Sequence, residues 1–216
     1  MDRMESTSTQ TIVASITRAI VEQRLTPGTK LAEQKLADQY GVSRTLVRQA
    51  LFQLSQRSLV RMEPARGAFV AAPSVEEALQ VFAVRRMLEV GVTREFIHRA
   101  SAEDLLALRQ QVEREETIMH HGETSARAVL HGDFHLCMAK RLGNQVLADL
   151  LSDLLARCTL VALMVRAKPQ AALSHEDHAA ILQALEARDE PLAVQRLELH
   201  LRRVEEALQL PASKSA

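Results

Sequence analysis

Beyond Pro73 the apolar residues of this chain recur at helical spacing almost without interruption, and no stretch alternates as a strand would, which confines most of the sequence to a helical bundle. Ser74 with Glu77 forms a capping box at the first of these helices. Ser101 with Asp104 and Ser174 with Asp177 predict further starts, Gly143-Asn144 a stop followed by a start, and Asp189-Glu190-Pro191 the last start. About six antiparallel helices follow from these signals. Ahead of Ala71 the pattern differs. Ile12, Ile16, Ala19 and Ile20 mark a helix that halts at Thr26-Pro27-Gly28. A second runs from about Glu33 to Tyr40 and closes on Gly41 as a left-handed cap, and a third runs from Arg44 to about Gln56 behind an N-capping Ser43. Leu59 to Met62 and Ala68 to Val70, around Pro64-Ala65-Arg66-Gly67, predict a two-stranded ribbon. The expected fold is mainly α: three helices plus a two-stranded β wing over residues 11–72, then an all-α antiparallel bundle over 73–210, with flexible tails at 1–10 and 211–216.

A chain of 216 residues with 47% hydrophobic content buries enough surface for two modest domains, which excludes disorder. Ile12 to Ile20 is broken by Ser15, Thr17 and Arg18, and no span approaches the roughly 20 apolar residues of a membrane helix, so the expectation is a soluble, cytoplasmic protein with no export signal. Cys137 and Cys158 lie far apart in apolar helical surroundings and read as reduced, buried thiols. The zero net charge conceals an asymmetry. Residues 1–70 hold ten Lys and Arg against six Asp and Glu, whereas residues 71–216 hold 17 against 21, so only the N-terminal part is suited to a polyanion.

Two short helices joined at Gly41-Val42-Ser43 have the layout of a helix-turn-helix. Arg44, Thr45 and Arg48 fall in the first turn and a half of the second of them, the end that enters a major groove and offers free N–H groups to phosphate. Leu46, Val47, Ala50, Leu51 and Leu54 form the opposite stripe. Arg44 and Arg48 are four apart and share one face, so one grips a guanine edge while the other takes guanine or phosphate.

Leu25-Thr26-Pro27-Gly28-Thr29-Lys30-Leu31, Leu36-Ala37, Gly41 through Leu51 and Arg66-Gly67-Ala68-Phe69-Val70 together resemble the N-terminal domain of GntR-type regulators, across nearly all of residues 12–71. The resemblance implies that Ser43, Arg44, Thr45, Arg48 and wing Gly67 touch operator DNA, with Arg66 beside Gly67 at the wing tip. Gln34 stands where some relatives carry a DNA-reaching arginine.

His131 and His135 are four apart and stack on one helical face. His178 and His200 have residue 189 as their midpoint, which is the expected turn between the last two helices, so an antiparallel hairpin sets them at equal height. If the first pair packs against that hairpin, three or four imidazoles converge, a donor set suited to zinc, nickel or a related divalent ion. His98, His120, His121 and His175 read as surface or satisfied core groups.

Val84-Arg85-Arg86-Met87-Leu88-Glu89, Asp133-Phe134-His135-Leu136 with Gly143-Asn144, Asp177-His178 and His200-Leu201 make residues 74–209 similar to the FCD effector-binding domain. In many of its members an aspartate and three histidines hold a metal. The histidines match His135, His178 and His200, but the aspartate position here is His131. Either His131 replaces the carboxylate as a neutral ligand, or the site is weaker and completed by effector or water. The resemblance also places Arg85 near the effector cavity; alternatively, Arg85 pairs with Glu89 one turn on.

The expected function is thus a sequence-specific DNA-binding regulator of transcription, a repressor. It would act as a homodimer on a near-palindromic operator, with an affinity set by a small carboxylate bound near a His-rich metal site. The rival is a metal-dependent enzyme or metal sensor using the His cluster. His175-Glu176-Asp177-His178 fails as a zinc-protease motif because its histidines are three apart rather than four, and the chain is not read as an enzyme.

Overall fold

Ser8 accepts the Thr11 N–H at 3.1 Å and starts α1 (Thr9–Val21), which buries Ile12, Val13, Ile16, Ala19 and Ile20 along one side. This computed structural model describes residues 8–121, 134–164 and 171–208. After α1, Gly28 turns the chain at φ +79° and its N–H donates to the Val70 carbonyl, so the next residues run alongside the wing. They form β1 (Lys30–Leu31), a strand absent from the two-stranded expectation. It pairs antiparallel with β3 (Gly67–Val70), which also pairs with β2 (Val60–Glu63), giving the order β1-β3-β2.

Between them lie α2 (Glu33–Tyr40) and α3 (Arg44–Gln56). Gly41 caps α2 at φ +64°, a left-handed geometry that strains any residue with a Cβ. Ser43 caps α3 by accepting the Leu46 N–H at 3.3 Å. Val47, Ala50, Leu51 and Leu54 turn inward against Ile12, Ile16 and Ile20, as their spacing predicts.

The remaining elements are helical. They are α4 (Val75–Arg99), α5 (Ala102–His121), α6 (134–141), α7 (Gln145–Met164), α8 (Ala171–Glu186) and α9 (Glu190–Ala207), six helices among the described residues. Ser74, Ser101, Asn144 and Asp189 each accept a backbone N–H three residues on, where the sequence placed helix starts. Ser174 does not mark a start. The helix already runs from Ala171, because Ala171, Ala172 and Leu173 are strong helix formers with no breaker among them. No helix among the described residues is long and apolar enough to cross a membrane.

The main core joins Phe96, Leu108, Phe134, Met138, Leu151, Ile181, Leu185 and Leu197 from α4 to α9. Ala156 and Leu160 of α7 instead enter the core of the N-terminal helices and wing. Helix α7 therefore belongs to both halves of the molecule.

Candidate functional sites

Two clusters of predicted residues fall in different halves of this architecture. The first is the start of α3 with the tip of the wing. Ser43, Arg44, Thr45 and Arg48 are all exposed, while the other side of the helix is sealed in the core. The Arg48 guanidinium lies edge-on to Glu33 of α2, with Nε donating at 2.9 Å and Nη2 at 2.7 Å; Arg44 donates to the same carboxylate at 3.3 Å. The Arg48 hydrogen bond outweighs partial burial and holds the Glu33 carboxyl below its usual range.

At the wing, Arg66 pairs with Glu63, which also takes Arg61 at 2.6 Å, and Arg66 stands over the Phe69 ring at 5.3 Å. Gly67 follows at φ +99°, so the exposed tip is reserved for glycine by backbone geometry rather than crowding. Gln34, at the departing position, donates to Asp38. The acidic partner Glu33 carried no signal in sequence, because it lies on α2 and shares no periodic face with the arginines of α3.

The second cluster lies inside the helical half. His135 of α6, His178 of α8 and His200 of α9 are buried, each with a ligand atom within 4.8 Å of the others. His178 and His200 stand with ring centroids 4.7 Å apart across the hairpin, as their equal distance from residue 189 predicts. His131 lies outside the described residues. Phe134 stacks flat on His178, with 4.2 Å between centroids and 8° between planes.

Each of the three imidazoles turns Nδ1 toward a carboxylate. His135 Nδ1 is 2.5 Å from Glu89, His178 Nδ1 is 2.7 Å from Glu115, and His200 Nδ1 is 3.4 Å from Asp177. Glu115 and Asp177 accept from the Nδ1–H of His178 and His200, which leaves Nε2 as the lone-pair nitrogen, and the Glu89 charge beside His135 Nδ1 favours the proton on that same atom. The Nε2 atoms of His135 and His178 then face each other at 3.3 Å. Two lone pairs so close repel unless a proton or a metal cation lies between them, and the spacing suits two nitrogen donors to one tetrahedral ion with bonds of about 2.0 Å. Burial pushes His135 down to about 4, against the pull of Glu89, so this ring is neutral at pH 7 as a metal ligand must be.

Arg85, expected at the effector cavity, is itself buried and directs Nε to Glu89 at 2.6 Å. Its guanidinium also neighbours the Cys158 thiol, which burial pushes up to about 11. Arg85 and His135 together overcome the burial of Glu89 and hold that carboxyl down at about 2. Arg85 thus touches the imidazole cluster through Glu89. Asp177, read in sequence as a cap partner, instead joins His200 and Arg203. Glu115, 63 residues from His178, had no detectable signature.

The comparisons with known proteins agree with both halves. The family described as bacterial regulatory proteins, gntR family, matches residues 8–70, and the FCD domain matches residues 80–203. The HTH-type transcriptional repressor RspR of Escherichia coli (strain K12) is 24% identical over 201 residues, spanning 92% of this chain and 88% of that protein. The HTH-type transcriptional regulator LutR of Bacillus subtilis (strain 168) is 29% identical over 206 residues, spanning 85% of this chain and 93% of its own length. In fold, the chain resembles E. coli McbR/YncC with a TM-score of 0.85 at 21% identity, over 95% of this chain and 98% of that one. A putative transcriptional regulator GntR from Rhodococcus sp. RHA1 gives 0.76 at 21% identity, over 93% and 97%. The matched families and relatives are regulators of transcription, not enzymes.

Proposed function

Because this chain belongs to the GntR family of bacterial regulatory proteins and carries an FCD domain, we propose that it represses transcription from a near-palindromic operator under control of a metal-assisted effector site. Ser43, Arg44, Thr45 and Arg48 read the major groove, while Arg66 and Gly67 enter the minor groove beside it. His135, His178 and His200 hold a divalent ion, zinc or nickel, and His131 is the candidate fourth ligand. The ion supplies a Lewis-acidic position for a small carboxylate effector, and Arg85 orients the site through Glu89.

The observation that carries this reading is the outward presentation of two arginines at the capped start of α3, with Val47, Ala50, Leu51 and Leu54 of that helix locked in the core. Selection of duplexes from a random pool tests it: the wild-type protein is expected to enrich one near-palindromic sequence. Metal titration of the chelator-treated protein is expected to give one ion per chain, and His178→Ala to weaken it by about 100-fold or more. Enrichment of no sequence, or unchanged metal uptake by the variant, would remove the corresponding half.

Helix α7 supports the link between the two sites. Arg157 donates to the Arg57 carbonyl at the C-terminal cap of α3 at 2.9 Å, and Asp153 pairs with Arg57 at 3.3 Å. The next residue, Cys158, neighbours Arg85, which holds Glu89, which in turn holds His135. Adjacent residues of one helix therefore meet the N-terminal half and the Arg85 that leads through Glu89 to the imidazole cluster. An effector that favours one position of α7 by about 1–3 kcal/mol would change operator affinity by the factor typical of such coupling.

The homodimer reading rests on apolar side chains left exposed on two neighbouring helices. Met87 is 77% exposed beside Val84 on α4, and Val146 is 70% exposed beside Leu150 on α7. Two-fold pairing through such a face would present two α3 helices to half-sites about one DNA turn apart. Met87→Glu is expected to shift the protein from dimer to monomer in light scattering, with its helix content unchanged. A variant that remains dimeric would exclude this face.

A further inference from the structure

The acid that joins the two DNA-facing arginines sits on the helix before them. Glu33 is only 20% exposed at its side chain, whereas the Arg44 and Arg48 side chains are 58% and 62% exposed. Arg48 meets the carboxylate through Nε and Nη2 in the paired geometry that fixes a guanidinium plane, leaving Nη1 free. Arg44 has a single, longer contact to it. One arginine is thus held in position while the other is loosely parked, and the three groups carry a net charge of +1 rather than +2.

We propose that Glu33 is a specificity-determining residue of operator recognition: it fixes Arg48 in a base-reading orientation and withholds both arginines from phosphate contacts that carry no sequence information. The inference rests on the DNA-binding reading above. Two physical effects support it. Holding Arg48 in advance lowers the ordering cost of the specific complex, where the outward edge of the guanidinium meets a base while its inner edge keeps the carboxylate. The negative charge near the phosphates weakens binding to any duplex, the electrostatic share of affinity that depends on net neutralised charge. Specific binding loses less than non-specific binding, and the ratio between them rises.

Binding of the full-length protein is measured by anisotropy at several KCl concentrations, with a duplex selected by the wild type and a scrambled duplex of the same composition. Glu33→Gln is expected to raise scrambled-duplex affinity about five- to tenfold near 0.1 M salt and to steepen its salt dependence by about 0.9 per protomer. Affinity for the selected duplex is expected to change less, so discrimination falls at least threefold. In a double-mutant cycle, Glu33→Gln and Arg48→Gln are expected to be non-additive on the selected duplex. Equal changes on both duplexes, additive effects in the cycle, or a joint loss of affinity and thermal stability would each overturn the role of Glu33. If the wild type selects no duplex at all, the DNA reading fails first and the inference fails with it.

Discussion

Arg44→Ala is expected to abolish selective operator binding while leaving folding, dimerisation and metal uptake at wild-type levels. A bidentate contact between arginine and a guanine edge contributes about 1–3 kcal/mol of discrimination, and a two-fold dimer loses it twice, which amounts to roughly thirtyfold to more than ten-thousandfold in affinity. The fold has little to lose. The Arg44 side chain is 58% exposed and its 3.3 Å contact with Glu33 is a surface ion pair of small net worth. Arg44→Lys separates the two ways an arginine serves DNA. Lysine keeps the positive charge but not the planar fork, so binding to scrambled duplex should persist while selectivity for the chosen site falls. Alanine and wild-type proteins that bind the selected duplex equally would contradict the assignment of α3 as the reading helix. Isothermal titration with the duplex, alongside thermal melting of each variant, makes the comparison.

Much of this architecture is legible in the sequence because local chemistry determines it. Gly41 and Ser43 fix the turn between α2 and α3 by a left-handed backbone and a hydroxyl acceptor, both properties of single residues. The meeting of His178 and His200 follows from their equal distance from a hairpin turn, which Asp189 and Pro191 announce. What sequence could not supply depends on contacts between distant segments. Strand β1 is two residues long and exists only because the Gly28 turn lays it against Phe69 and Ala68. Ser174 and Asp177 have the spacing of a cap, but the preceding alanines continue the helix and Asp177 takes His200 as its partner. Glu33 and Glu115 became visible only when packing placed them 2.7 Å from Arg48 and His178, respectively. In both clusters the exposed arginines and the buried imidazoles were found from motif and spacing, whereas the acids paired with them were not.

Those orienting acids give the second large effect. Glu89→Gln is expected to destabilise the protein by about 3–5 kcal/mol and to weaken metal binding by about 10- to 100-fold, because one carboxylate serves two buried groups. Its Oε1 accepts from Arg85 at 2.6 Å and its Oε2 lies 2.5 Å from His135, with all three residues buried. Glutamine preserves shape and one acceptor but removes the charge, so the Arg85 guanidinium is left buried without a counter-ion and His135 loses the anion that directs its Nδ1–H. The two consequences can be separated. Arg85→Met combined with Glu89→Leu removes the buried pair entirely, and well-packed apolar replacements of such pairs are often neutral or stabilising. This double variant is expected to recover most of the urea midpoint lost by Glu89→Gln while its zinc affinity stays low, since nothing then orients His135. Zinc competition against a chromophoric chelator and urea unfolding of the metal-free proteins provide the two readouts. If Glu89→Gln unfolds at the wild-type midpoint, Glu89 is not the charged partner of Arg85. If the double variant binds zinc as tightly as the wild type, the carboxylate has no part in holding His135 toward the centre.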